Sequence, residues 1–284
     1  VTARRPAAAP LVTTEWLAAN LGRRNVRVVD GSWHLAQLKR DARAEFTQAH
    51  IPGAVFFDID AIADHRSTLP HMLPRPSEFA RRVGALGIGD GDRVIVYDSR
   101  GINSAARVWW TFRAFGHDAV AVLDGGLPRW RAEGRPLESG TPAPRARRFT
   151  ARLRRRLVRD LASMRGNLRT RREQVLDARS RGRFTGSEPE PRAGLRPGHI
   201  PGSLNLPYEQ LYQPDGTLLG PDALRRQFES AGLDLDRPIV TSCGSGVTAS
   251  ILALGLYAVG RADVAVYDGS WTEWGGRADT PVER

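Results

Sequence analysis

Cysteine occurs once in 284 residues, as Cys243. That scarcity excludes an intramolecular disulfide and any metal site built from several thiolates. It also suits a reducing compartment, read here as the cytoplasm. Lysine is as scarce: Lys39 is the only one, and every other basic residue is an arginine. A net charge of +11 would invite a nucleic-acid partner. So one-sided a choice of base instead reads as an arginine-biased composition. The densest basic stretch, Arg145 to Arg172, has few aromatics on which bases would stack. No nucleic acid is expected as a partner. No apolar run approaches the length of a bilayer span, so no membrane is expected either. The opening V-T-A-R-R-P-A-A-A-P is basic without an apolar stretch behind it, unlike a secretory signal.

What is present is concentrated between Pro238 and Leu254, P-I-V-T-S-C-G-S-G-V-T-A-S-I-L-A-L. Ile239 and Val240 read as the end of a buried strand, and Thr248 to Leu256 as a helix. Gly244, Ser245 and Gly246 permit a tight loop whose backbone N–H groups turn inward on Cys243. A cysteine at a helix N-terminus lies among orphan N–H groups that favour negative charge, which makes a nucleophilic thiolate. Gly246, Val247 and Thr248 complete the loop, with the Thr248 hydroxyl expected at a capping position. Cysteine phosphatases of similar loop design close the loop with an arginine. Here Thr248, Ala249 and Ser250 follow Val247, which argues against phosphoryl transfer.

The chain also repeats itself at an offset near 145 residues. Val28-Val29-Asp30 returns as Val175-Leu176-Asp177, and the His50-Ile51-Pro52-Gly53 turn as His199-Ile200-Pro201-Gly202. Val94 to Asp98 returns as Ile239 to Cys243, so an aspartate, Asp98, stands where the second copy has its thiol. Strands alternate with helices in both halves, which predicts a duplicated α/β domain with a mostly parallel sheet flanked by helices. The boundaries are read as 1–138 for a non-catalytic copy, 139–156 for a solvated linker and 157–284 for the catalytic copy. Ser77 is expected to cap a helix reaching Leu86, and Trp109, Trp110, Trp271 and Trp274 to pack in cores. His50 and His199 recur in both copies, which argues for a structural role.

The two-copy pattern and several motifs resemble the tandem-domain rhodanese family, most nearly its 3-mercaptopyruvate sulfurtransferase branch. The motifs are the Cys243–Thr248 loop, G-R-F-x-G-x-E-P-E-P-R from Gly182 to Arg192, H-M-L-P from His71 and D-G-G from Asp124. The resemblance implies two rhodanese-like domains with the active site at their interface. It implies that Cys243 takes sulfur from the donor as a persulfide and passes it to a thiol, a thioredoxin-like reductant or cyanide, with pyruvate released. No metal or organic cofactor is expected. Arg183 and Arg192 match the family's donor-binding arginines, whose forks suit a carboxylate and a ketone. His71, Asp60 and Ser245 match a proposed serine–histidine–aspartate relay. The thiosulfate-preferring branch resembles C-R-K-G-V-T, whereas Gly244 and Ser245 are not basic, which favours mercaptopyruvate. The alternatives are a thiosulfate sulfurtransferase and a non-catalytic interaction module.

Overall fold

The computed structural model describes residues 9–284, so most of the basic opening stretch lies outside the described residues. Two compact units divide the chain. The first comprises the residues up to Ile62 together with Arg75–Leu153 and Asp215–Thr217. The second comprises Ala63–Pro74, Arg154–Pro214 and Leu218–Arg284. The segment bearing His71 therefore folds with the second unit, although it falls inside the first repeat in sequence.

In chain order the first unit carries β1 (Leu11–Val12), α1 (Thr14–Asn20), β2 (Val26–Asp30), α2 (Ala42–Gln48), β3 (Val55–Phe56) and α3 (Ile59–Ile62). There follow α4 (Pro76–Ala85), β4 (Arg93–Tyr97), α5 (Ser104–Ala114), β5 (Val120–Leu123) and α6 (Gly126–Ala132). The second unit carries β6 (Val158–Arg159), α7 (Leu161–Thr170), β7 (Gln174–Asp177), α8 (Arg181–Thr185) and β8 (Leu204–Asn205). It continues with α9 (Pro221–Ser230), β9 (Ile239–Ser242), α10 (Ala249–Ala258), β10 (Ala265–Tyr267) and α11 (Ser270–Trp274). The sheet orders are β1-β5-β4-β2-β3 and β6-β10-β9-β7-β8, the same topology twice. Every pairing between these strands is parallel. Parallel strands are covered on both faces, which is why V-I-V-Y in β4 and the whole of β9 are buried runs without alternation. Helix α5 is buried along its full length, Trp109 and Trp110 included, and Trp271 and Trp274 are likewise core residues.

The repeat extends to single hydrogen bonds. His50 exchanges backbone bonds with Glu138, and His199 with Glu283. The His50 ring stacks on Phe46 at 4.1 Å and the His199 ring on Phe184 at 3.7 Å, each Nδ1 meeting that phenylalanine's carbonyl. Both histidines are structural. Helix α4 departs from the expected start: Pro76 occupies its first turn and Arg75 its N-cap, with no side-chain cap from Ser77. Its fixed φ suits proline to that turn, where the missing N–H would have had no partner.

The arginine-rich stretch expected as a solvated linker is instead a strap along the first unit as far as Leu153. The Arg147 N–H donates to Gly84 O, its guanidinium pairs with buried Asp92, and the Arg152 N–H donates to Phe115 O. Phe149 enters a ring cluster with Phe79, Phe112 and His117. One aromatic residue thus overrides the polarity of its neighbours. No helix among the described residues is long and apolar enough to cross a membrane.

Candidate active site

In each unit the chain leaves the sheet in opposite directions on either side of one strand pair, β2/β4 and β7/β9. Open α/β sheets bind ligands at that point, beyond the carboxyl ends of the strands. Cys243 follows β9 directly, and Asp177 ends β7 beside it in register with Ser242. The thiol is buried, and Gly246 N–H donates to Cys243 Sγ at 3.1 Å. Gly246 has φ 79°, the left-handed region that glycine enters without strain, and this turns its N–H back onto the sulfur.

The first unit tests the loop with a different occupant. There the Asp98 carboxylate accepts the N–H groups of Arg100 at 2.8 Å, Asn103 at 2.6 Å and Ala105 at 2.9 Å. The loop geometry is therefore an anion cradle in its own right, and Cys243 occupies the same place in the second copy.

A second layer holds the loop from beneath. Cys243 N–H donates to Ser270 Oγ at 3.3 Å, Cys243 O accepts from Trp271 N–H, and Gly244 O accepts from the Thr272 N–H and hydroxyl. Ser270 sits at φ 48°, a left-handed conformation that costs a non-glycine residue about 1–2 kcal/mol. Its counterpart in the first unit is Gly126, at φ 55°. The serine is tolerated because its hydroxyl serves the cysteine's amide.

Arg183 and Arg192 both reach the loop. A side chain at Gly244 would place its Cβ 2.9 Å from Arg183 Nη2 and 4.0 Å from Arg192 Nη1. Glycine there leaves room for the Arg183 guanidinium, while Arg192 comes to ordinary contact distance. Arg183 is clamped by Glu190, whose Oε2 accepts its Nη2 at 2.6 Å. Glu190 also meets Arg179 at 2.7 Å, and Arg179 in turn grips Asp177 at 2.7 Å. Burial pulls the Arg179 guanidinium down, but the two carboxylates outweigh it and leave its pKa raised. This alternating chain Asp177–Arg179–Glu190–Arg183 fixes the Arg183 guanidinium. Arg179 is missing from the sequence reading, and Glu190 was visible there only as an acid within E-P-E-P-R.

His71 is buried, and its Nε2 lies 3.4 Å from Arg192 Nη2. The segment is tied down where Leu73 N–H donates to Asp268 Oδ2 at 2.8 Å. His71 itself has φ 61°, a second strained residue at the site. Ser245 and Val247 are buried in the loop. Thr248 holds the N-cap position of α10 but has helical backbone and gives no side-chain cap, so the expected capping hydroxyl is absent. Asp60 lies in the first unit, on α3, where it accepts the Trp33 indole N–H at 2.8 Å. Among the described residues no group of three or more His, Cys, Asp or Glu is placed to hold a metal ion.

The model of the rhodanese-like domain matches residues 13–133 and again 159–277. The chain belongs to the rhodanese family. It is 46% identical over 274 residues to the human 3-mercaptopyruvate sulfurtransferase, covering 94% of this chain and 92% of that protein. Its identity to the bovine thiosulfate sulfurtransferase is 44%, over the same shares. Among solved rhodanese structures, the 3-mercaptopyruvate sulfotransferase SseA of Escherichia coli superposes with a TM-score of 0.85 at 38% identity. That match covers 93% of this chain and 99% of SseA. Tum1 of Saccharomyces cerevisiae gives 0.88 at 33% identity, covering 96% and 97%.

Proposed function

We propose that this rhodanese is a sulfurtransferase whose preferred donor is 3-mercaptopyruvate. The Cys243 thiolate attacks the donor's thiol sulfur, an S–S bond forms, and the C–S bond breaks with its electron pair moving to carbon. The resulting enolate takes a proton and leaves as pyruvate, and Cys243 keeps the outer sulfur as a persulfide. A thiol acceptor, such as a thioredoxin-like reductant, or cyanide then attacks that outer sulfur and returns the thiolate. The observation that carries this reading is one buried thiol that accepts a loop N–H while two arginines converge on the adjacent glycine. The loop amides suit the persulfide anion, as they suit Asp98 in the other copy.

Arg183 and Arg192 are assigned to the donor's carboxylate and ketone. His71 with Ser245 and Asp60 is assigned to delivering the proton to the departing enolate. Support for His71 is its burial beside Arg192; Asp60 rests on the motif alone. Gly244 leaves no basic side chain to offset the second charge of thiosulfate, which favours the monoanionic donor. The lone thiol suits a reducing compartment, for which the cytoplasm is our reading, although one relative in Arabidopsis thaliana, 44% identical, is named as mitochondrial.

The test is to incubate the protein with 3-mercaptopyruvate or thiosulfate, follow pyruvate or sulfite, and weigh the intact chain. A gain of one sulfur that disappears in Cys243→Ser is expected; no gain from either donor sinks the reading. A faster rate with thiosulfate overturns the donor assignment alone. For the relay, His71→Gln, Ser245→Ala and Asp60→Asn are expected to lower kcat with little change in KM. An unchanged kcat removes that residue from the relay.

A further inference from the structure

The two units match so closely in backbone bonding that a side chain present in one and absent from the other can be located. Ser32 N–H donates to Asp30 Oδ1 at 2.8 Å, as Arg179 N–H does to Asp177 Oδ1 at 2.9 Å. Ser32 therefore stands where Arg179 stands, so the first unit has no guanidinium rooted at that position. In the second unit that guanidinium is fully enclosed. It grips the Asp177 carboxylate, donates to Gly198 O at 2.9 Å and lies 4.4 Å from the Trp271 ring.

The matching positions in the first unit are Asp30, Ala49 and Leu127. Ala49 precedes the bonded His50 as Gly198 precedes His199, and Leu127 N–H donates to Asp98 O as Trp271 N–H does to Cys243 O. All three, with Ser32, line a cavity of about 280 Å³. The cavity thus lies at the positions that in the other copy enclose the Arg179 guanidinium. Asp30 is buried with neutral donors around it; burial pushes its carboxyl up to about 6, against bonds from Ser32 and Tyr97. Arg40 and Arg131, both exposed residues, line the cavity as well. Arg40 is held by a two-pronged pair with Glu45 at 2.7 Å on each prong, and Glu45 lines the same cavity, so the charge of Arg40 is already matched and Arg131 is the cation left for a ligand.

We propose that this cavity is a binding site for a small zwitterion, its guanidinium or ammonium head against Asp30 and its carboxylate toward Arg131. The site is independent of the thiol chemistry and belongs to the copy that lacks a cysteine. Asp30 is buried and Arg131 is exposed, so neither a simple anion nor a simple cation satisfies both.

Guanidinoacetate is a probe of this class. Calorimetric titration of the full chain is expected to give saturable binding, accompanied by a higher thermal midpoint. Guanidinium chloride and sodium acetate are each expected to bind at least about tenfold more weakly, each lacking one charged contact. Ser32→Arg, which would place a tethered guanidinium in the cavity, is expected to abolish binding, while sulfur transfer persists. Asp30→Asn keeps the shape and is expected to weaken binding by at least about tenfold. It serves as the second test if Ser32→Arg does not fold. No saturable binding to the wild type overturns the proposal. So does undiminished binding in these variants, or acetate or guanidinium binding as well as guanidinoacetate does.

Discussion

Arg183 and Arg192 approach the same glycine but are held differently. Arg183 is clamped from behind by Glu190, whereas Arg192 faces His71. Replacing either by alanine is expected to raise KM for mercaptopyruvate more than it lowers kcat. The loss in kcat/KM should be roughly ten- to a hundredfold, the worth of a charge-assisted hydrogen bond, read from initial rates. Ser270→Gly separates strain from support. It relieves the left-handed backbone but deletes the hydroxyl that receives the Cys243 amide. Stability to denaturant should hold or rise while turnover falls; equal turnover would deny the hydroxyl its role.

Asp30 offers a pH test. Its folded carboxyl is raised to about 6 by burial, so the folded state binds the proton more tightly than the unfolded chain does. The stabilisation is present below the ordinary carboxylate range and is lost as pH rises through about 6. Asp30→Asn should remove that slope, a change of about 2 kcal/mol between pH about 4 and about 7 in urea melts. Single-residue chemistry was partly legible in advance. Cys243 and the two arginines sit in compact motifs, but the Asp177–Arg179–Glu190 chain, although Glu190 belongs to one of them, does not as a whole. Its arginine is one among many in this composition, and only burial distinguishes it.

At the scale of elements, strands buried on both faces announce themselves as apolar runs, and the internal repeat fixed their order. Two segments resisted that reading. The strap carries one apolar anchor, Phe149, among many arginines, so its polarity masks its packing. Phe149→Ala should cost about 3–5 kcal/mol in denaturant unfolding, the usual range for emptying a phenylalanine site. A loss under about 1 kcal/mol would return the stretch to a solvated tether. The 63–74 segment is short and proline-rich, and nothing in its own pattern says that it folds with the second unit. A long-range contact, Leu73 to Asp268, holds it there.

For the whole molecule, a net charge of +11 would favour the approach of the anionic donor proposed here. The donor's kcat/KM should therefore fall severalfold as salt rises from about 0.01 M to 0.15 M, as the screening length shortens. A flat salt response would confine the electrostatics to the two arginines. The duplication has a further use. In the first unit the cradle is filled by Asp98, and Glu45, just before the stacking Phe46, occupies the place of Arg183 before Phe184. In this copy acids thus stand in place of both the thiol and the arginine. Asp98→Cys would restore only the first of them, giving the chain two thiols in like surroundings, one with its arginine and one without. The ratio of their sulfur loading from a single donor, read peptide by peptide, would report how much of the reaction belongs to the backbone and how much to the side chains. The chain contains its own control.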